Sequence, residues 1–337
     1  MIAVVTGSTG FIGSHLVEAL RAQGAEVRAL RRPESGAAPA GVATHVVDLL
    51  DSAAVAKSAI WDGATHCFHL GGATKGRTRA EFARSNVDPT RHIAQAIAAR
   101  GANGPRLVFL SSQAAAGPAL HAAAPRREDE PGAPVEGYGA SKLEAEKLIA
   151  NSGAQLRATI VRAASVYGPG DRDFLQVFRQ ASGRIAVYAA PADQQFSIVH
   201  VRDLVSAIIA AGDRPRAVGR TYFVANVAPT SWREMYRTVA RAAGAHPLEL
   251  QIPVPILAAA AFVADLWPFK GAAAPLLTRH KVALSRPRWW LCDASRAGAE
   301  LGWTPTIPLD AGLRETVDWY RDAGWLRGSA TPQVVAA

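Results

Sequence analysis

Cysteine is nearly absent from this chain: Cys67 and Cys292 are the only two in 337 residues. Two thiols cannot staple a chain of this length, which excludes a disulfide-framed scaffold. Cys67 stands inside an apolar strand pattern, where cysteine serves as a small buried side chain. A reducing, cytoplasmic setting is therefore expected. No charged leader or cleavage site precedes the first apolar strand, so no signal peptide is expected. An uninterrupted apolar run of the about 20 residues needed to span a bilayer is also missing. The nearest approach, Ile252 to Phe269, is interrupted by Pro253 and Pro255 and carries Asp265. It reads as a buried or interface helix, with a membrane-surface anchor or an apolar pocket lining as the other readings. Internal repeats, metal-ligand clusters and nucleic-acid-binding motifs are not found. The net charge of +9 comes from scattered residues, mostly arginine. Neither nucleic acid nor a metal is expected as a ligand, and attraction of an anionic cofactor is a by-product of the charge.

What is present is apolar and periodic. A hydrophobic share of 49% supports one large or two intimate globular domains. Short apolar runs at Ile2 to Val5, Glu26 to Leu30, Thr44 to Val47, His66 to Leu70, Arg106 to Leu110 and Leu156 to Val161 predict strands. Between them, helical spacing covers Phe11 to Arg21, Ala53 to Ala59, Asn86 to Arg100 and Tyr138 to Ala150. The alternation predicts an α/β fold, a doubly wound parallel sheet covered by helices on both faces. After Gly168 the pattern loosens into short helices, with strands near Ile185 to Tyr188 and Tyr222 to Val224.

Two motifs carry chemistry. Thr6-Gly7-Ser8-Thr9-Gly10-Phe11-Ile12-Gly13 is a glycine-rich turn between the first strand and first helix, a ready site for a diphosphate. Tyr138 and Lys142 place a phenol and an ammonium one helical turn apart on one face. Together they point to a nicotinamide-dependent enzyme whose acid/base is a tyrosine. An ammonium beside the phenol favours the phenolate and lowers a pKa that is otherwise about 10.

With these motifs, Phe68-His69-Leu70, Leu110-Ser111-Ser112, Val166-Tyr167-Gly168-Pro169-Gly170, His200-Val201-Arg202-Asp203 and Glu300-Leu301-Gly302-Trp303-Thr304-Pro305 follow in order. The chain thereby resembles the extended short-chain dehydrogenase/reductase, or NAD-dependent epimerase/dehydratase, family from Met1 to about Leu326. The resemblance implies a Rossmann domain over 1–168, with 196–226 returning to it. It also implies a smaller C-terminal substrate domain over 169–195 and 227–327; residues 328–337 read as a flexible tail. It implies catalysis by Ser112, Tyr138 and Lys142. Cofactor contacts are expected from Gly7, Thr9, Gly10, Phe11, Ile12, Gly13, Arg31, Arg32, Asp48, Leu49, Leu70, Gly71, Gly72, Tyr138, Lys142 and Val166. Asp48-Leu49 matches the family's adenine-contacting pair, while Asp48 reads equally as the N-cap of the next helix. Asn86 and His200 are expected to be structural, with Asp203 capping a helix. A homodimer is expected, through helices that include the Tyr138 segment.

Departures from the family pattern bear on the reaction. Arg31 and Arg32 follow the second strand, at the position where NAD enzymes of the family usually carry a carboxylate. A guanidinium there suits a 2′-phosphate, so NADP(H) is favoured, with NAD(H) the alternative. Dehydratases of the family carry carboxylates after the catalytic hydroxyl; here Gln113-Ala114-Ala115 follow. Epimerases typically carry an asparagine where Ser165 stands and a diphosphate-gripping arginine where Phe196 stands. Phe196, Trp267, Trp289 and Trp290 suit a largely apolar small-molecule substrate, with Ser112 and Phe196 as its expected contacts. The expected reaction is reduction of a ketone or oxidation of a secondary alcohol. A nucleotide-sugar epimerase on tightly bound NAD is the alternative, with Arg172, Arg286 or Arg288 as substitute clamps. A non-catalytic NADP(H) sensor is a third class, which an intact Ser112, Tyr138 and Lys142 argues against.

Overall fold

The structure is a computed structural model that describes residues 1–76, 78–188, 190–253, 256 and 283–326. Most of the Ile252 to Phe269 stretch, including Trp267, and the 328–337 tail lie outside the described residues. The chain divides into two compact units. The first comprises Met1–Val166, Phe196–Pro229 and Trp289–Thr306; the second comprises Tyr167–Gln195, Thr230–Arg288 and Ile307–Ala337.

In the first unit the strands are β1 (Ile2–Thr6), β2 (Glu26–Arg31), β3 (Ala43–Val46), β4 (His66–His69), β5 (Arg106–Ser112) and β6 (Ala158–Ala163). With Thr221–Val224 they form one seven-stranded sheet, ordered Thr221–Val224, β6, β5, β4, β1, β2, β3. Every neighbouring pair is parallel. The helices of this unit include α1 (Phe11–Ala22), α2 (Ser52–Lys57), α3 (Arg79–Phe82), α4 (Asp88–Ala98), α5 (Gln113–Ala116) and α6 (Gly137–Asn151), and also Val201–Asp213. Alternate strand residues feed two cores. Val4, Cys67, Leu107, Phe109 and Ile160 pack with Ile93, Ile97, Ala145 and Ile149 on one face. Ala3, Val5, Phe68, Val108 and Val161 pack with Leu16, Leu20, Leu204 and Ile208 on the other. Burial on both faces is why these strands read as near-continuous apolar runs. Cys67 is fully buried, and burial pushes its thiol well above the ordinary range, as an inert core residue requires.

The chain order reverses between β1 and β4. In an open α/β sheet, ligands bind in the crevice outside the carboxyl ends of the strands at such a switch point. It lies between the turns after Thr6 and after His69.

Trp289–Thr306 belongs to the first unit, although the sequence pattern assigns it to the second domain. Leu301 and Trp303 complete the core on the α1 face, and the Trp303 indole donates to the Ser206 hydroxyl at 2.8 Å. The second unit is built on the helices Leu175–Ala181, Trp232–Ala243 and Leu309–Asp322. It also has a parallel pair, Ile185–Tyr188 with Leu248–Gln251. No helix among the described residues is long and apolar enough to cross a membrane.

Candidate active site

Backbone geometry makes the turn after β1. Gly7 has φ +70°, and a methyl group there would lie 2.8 Å from the Gly71 nitrogen. At Gly13 a methyl would lie 2.0 Å from the Gly7 carbonyl oxygen, so any side chain would force α1 away from β1. No side chain caps α1, and its first turn carries no acid. The first N–H groups of the helix and its positive dipole end are thus left to a ligand. Thr9 and Gly10 are exposed, Phe11 and Ile12 half-buried, Gly13 buried. This cradle fits a dinucleotide diphosphate.

At the end of β2, the Arg31 guanidinium reaches into the following loop, with Nη2 donating to the Ser35 carbonyl at 2.5 Å. Its Nε–H is buried without a partner. Arg32 is exposed and ion-paired with Glu34 at 3.2 Å. Asp48 does not cap α2. Its carboxylate accepts from the Leu50 N–H at 2.9 Å, and Asp51 caps the helix by accepting from Ala53 and Ala54. The Leu49 side chain is buried in the core, and its carbonyl oxygen lies 2.8 Å from His92 Nδ1. Leu70 and Val166 are half-buried against the other core, and Phe196 is buried at 3% exposure.

The Tyr138 helix is started by Glu136, whose carboxylate accepts from the Tyr138 and Gly139 N–H groups at 2.5 and 2.6 Å. Gly139 lets α6 approach α5 closely: a methyl there would lie 2.3 Å from the Ala114 carbonyl oxygen. Tyr138 is half-buried, its ring tilted against Phe82 at 6.4 Å between centroids. One turn on, the buried Lys142 ammonium donates to the Leu110 carbonyl at 2.8 Å and sits 4.7 Å above the Phe109 ring. Desolvation lowers its pKa to about 8, opposed by Glu146. It lies beside Gly72, where a methyl would stand 3.4 Å from it.

Adjacent serines have different fates. Ser111 is buried and donates to Glu146 at 2.5 Å, and Glu146 is itself held by Arg162 Nη2 at 2.7 Å. Ser112 is half-buried at the carboxyl end of β5, where its Oγ caps α5 by accepting from the Ala114 N–H at 3.1 Å. Its hydroxyl proton remains available to a ligand oxygen.

The sequence names Asn86 as structural but not its partners. Asn86 lies within a π-helical turn, Ala83–Val87. Its amide holds both the N–H and the carbonyl of Ala73, and donates to Ser141 Oγ at 2.8 Å. Ser141 in turn donates to the Tyr138 carbonyl at 2.7 Å. A second correction concerns Val201–Asp213. His200, not Asp203, caps it, through Nδ1 accepting from the Arg202 N–H at 3.3 Å. Asp203 instead accepts from the Thr306 N–H and hydroxyl at 3.0 and 2.9 Å. The sequence signal for His200 was a polar residue at the end of the apolar run Ile198–His200.

Residues 3–225 match the family described as NAD dependent epimerase/dehydratase. A ceramide reductase from Caulobacter vibrioides is 30% identical over 96% of this chain and 96% of its own length. A 3beta-hydroxysteroid-dehydrogenase/decarboxylase from Arabidopsis thaliana is 28% identical over 94% of this chain and 79% of its own. Among solved structures, a UDP-glucose 4-epimerase from Thermus thermophilus in complex with NAD superposes with a TM-score of 0.75 at 25% identity. That match covers 96% of this chain and all of the other (100%).

Proposed function

We propose that this chain, which belongs to the NAD dependent epimerase/dehydratase family, interconverts a ketone and a secondary alcohol on a largely apolar substrate, with NADP(H) as its preferred cofactor. The enzyme is of the extended short-chain dehydrogenase type. The observation that carries the proposal is the division of labour between the two serines: Ser111 is bound up with Glu146, while Ser112 keeps its hydroxyl proton at the carboxyl end of β5. A bound nicotinamide dinucleotide supplies the hydride for reduction and takes it back in oxidation. The glycine turn and the α1 N-terminus would hold its diphosphate, and Lys142 its ribose. In reduction Ser112 donates to the substrate carbonyl oxygen and holds it. Tyr138 gives its phenolic proton to that oxygen, and the Lys142 ammonium steadies the phenolate left behind. Oxidation runs the same steps backwards.

An apolar substrate is favoured by Phe196 where epimerases carry a clamping arginine, by Ser165 in place of asparagine, and by the absence of carboxylates after Ser112. A buried diphosphate without cationic partners is costly to desolvate. The printed names of the ceramide reductase and the hydroxysteroid dehydrogenase point the same way. The solved epimerase keeps a nucleotide-sugar epimerase as the second reading. A thermal-shift screen with cofactor present separates them, because a ligand selective for the folded state raises the melting temperature. Long-chain, alicyclic and aromatic ketones and alcohols are expected to raise it, and UDP- and dTDP-sugars are not. A shift with a nucleotide sugar would replace the reductase reading with the epimerase.

Cofactor preference is expected to rest on Arg31, whose buried, unpartnered Nε–H is suited to a phosphate oxygen. Fluorescence titration should give tighter NADPH than NADH binding, with Arg31→Ala weakening NADPH about tenfold and NADH hardly at all. Tighter NADH binding by the unsubstituted protein contradicts the NADP(H) preference.

A further inference from the structure

His69, the last residue of β4, is 1% exposed and lies between two hydroxyls. Its Nδ1 is 2.6 Å from Thr6 Oγ1 and its Nε2 is 2.9 Å from Thr90 Oγ1. The order of donors along this chain follows from its two ends. The Gly71 N–H donates to Thr6 Oγ1 at 3.0 Å. The Thr90 hydroxyl donates to the Asn86 carbonyl at 2.6 Å, so its oxygen must accept from His69. Thr6 spends its single proton on Nδ1, and His69 is a neutral imidazole protonated at Nε2. Desolvation, reinforced by the nearby Lys142 charge, holds its pKa down to about 3, so it stays neutral through the physiological range.

Each end of the chain lies at a proposed cofactor contact. Thr6 precedes Gly7, where a methyl would lie 2.8 Å from the Gly71 nitrogen, and a methyl on Gly71 would lie 3.1 Å from Thr6 Oγ1. Thr90 holds the carbonyl of Asn86, whose amide fixes Ala73 and, through Ser141, the Tyr138 turn. We propose that His69 is a positioning residue for the dinucleotide. By accepting from Thr6 and donating to Thr90, it keeps Thr6 Oγ1 available to Gly71 and sets the spacing between the glycine turn and the Leu70–Gly72 strip. The proposal rests on the reading of that turn as the dinucleotide site.

Two measurements test it. In the unsubstituted protein, 15N spectra of selectively labelled histidine should show His69 neutral and protonated at Nε2 from pH 5 to pH 8. A protonated Nδ1, or an imidazolium at about pH 6, the range in which an unperturbed histidine titrates, overturns the proposal whatever the variants do. The second measurement compares His69→Asn, whose Oδ1 can take the place of Nδ1 and accept from Thr6, with His69→Gln, whose longer side chain places its amide nitrogen near the Nε2 position to donate to Thr90 and leaves the Nδ1 position empty. Both should lose similar thermal stability. NADPH affinity should stay within about threefold in His69→Asn and fall about tenfold in His69→Gln, the range expected for one hydrogen bond. Affinities that fall equally in both, or that do not fall while the melting temperature does, assign His69 a purely structural role. If the unsubstituted protein binds no dinucleotide, the proposed function falls with the inference; if it binds and the two variants do not differ in affinity, the inference alone falls.

Discussion

Tyr138→Phe is expected to lower turnover by about a hundredfold or more, since the general acid/base is removed, while NADPH affinity remains within about twofold because the phenol holds no phosphate. The helix that carries the residue is fixed independently of its hydroxyl: Glu136 caps it, Ser141 holds the Tyr138 carbonyl, and Gly139 seats it on α5. The ring's contact with Phe82 is also kept in phenylalanine. The substitution therefore takes away the proton carrier while the ring and the helix that holds it are kept. Steady-state rates with a carbonyl substrate from the thermal-shift screen, alongside fluorescence titration of NADPH, give both quantities. Retained turnover overturns the assignment of Tyr138. Loss of cofactor affinity in parallel with turnover shows instead that the phenol supports the binding cleft.

Arg162→Met is expected to be the most destabilising of the simple replacements, by about 3–5 kcal/mol, the cost of stranding one partner of a buried ion pair. Glu146 and Arg162 are 5% and 7% exposed and meet through Nε and Nη2 at 2.7–3.2 Å. Without the guanidinium, Glu146 keeps the Ser111 hydroxyl as its hydrogen-bond donor, too little for a desolvated carboxylate. It also stands one turn beyond Lys142 on α6, so its protonation or displacement would disturb the ammonium that Tyr138 depends on. Urea unfolding should show the loss, and adding Glu146→Leu to Arg162→Met should recover part of it, since an apolar pair strands no charge. An Arg162→Met protein as stable as its parent would mean that the pair is solvated in solution.

Much of this architecture is legible in the sequence because its causes are local. Apolar runs such as Ile2 to Val5 and His66 to Leu70 are buried on both faces, so strand and burial are read from the same residues. Gly7 and Gly13 are legible because only glycine meets the steric demand of the turn. Tyr138 and Lys142 are legible because their spacing equals a helical turn. The polar frame is less so. The identity of a cap is decided by which side chain reaches the first N–H groups, so Asp51 displaces Asp48 and His200 displaces Asp203. The chain through Thr6, His69, Thr90 and Asn86 joins hydrogen-bond partners as many as 63 positions apart, and no local pattern predicts such a partner. Trp289–Thr306 joins the first unit for the same reason: the core face it completes is assembled from distant segments.

The proposed reaction is net hydride transfer to a carbonyl carbon, with the proton supplied by Tyr138. It is tested most directly by incubating the protein with NADPH deuterated at nicotinamide C4 and the ketones that raise its melting temperature, then analysing the products by mass spectrometry. Transfer of one deuterium to the carbinol carbon, with one NADPH oxidised per alcohol formed and product formed about a hundredfold or more slowly by Tyr138→Phe, is the predicted result. Unlabelled ketone recovered intact, together with inversion of a nucleotide sugar without net consumption of cofactor, would contradict it.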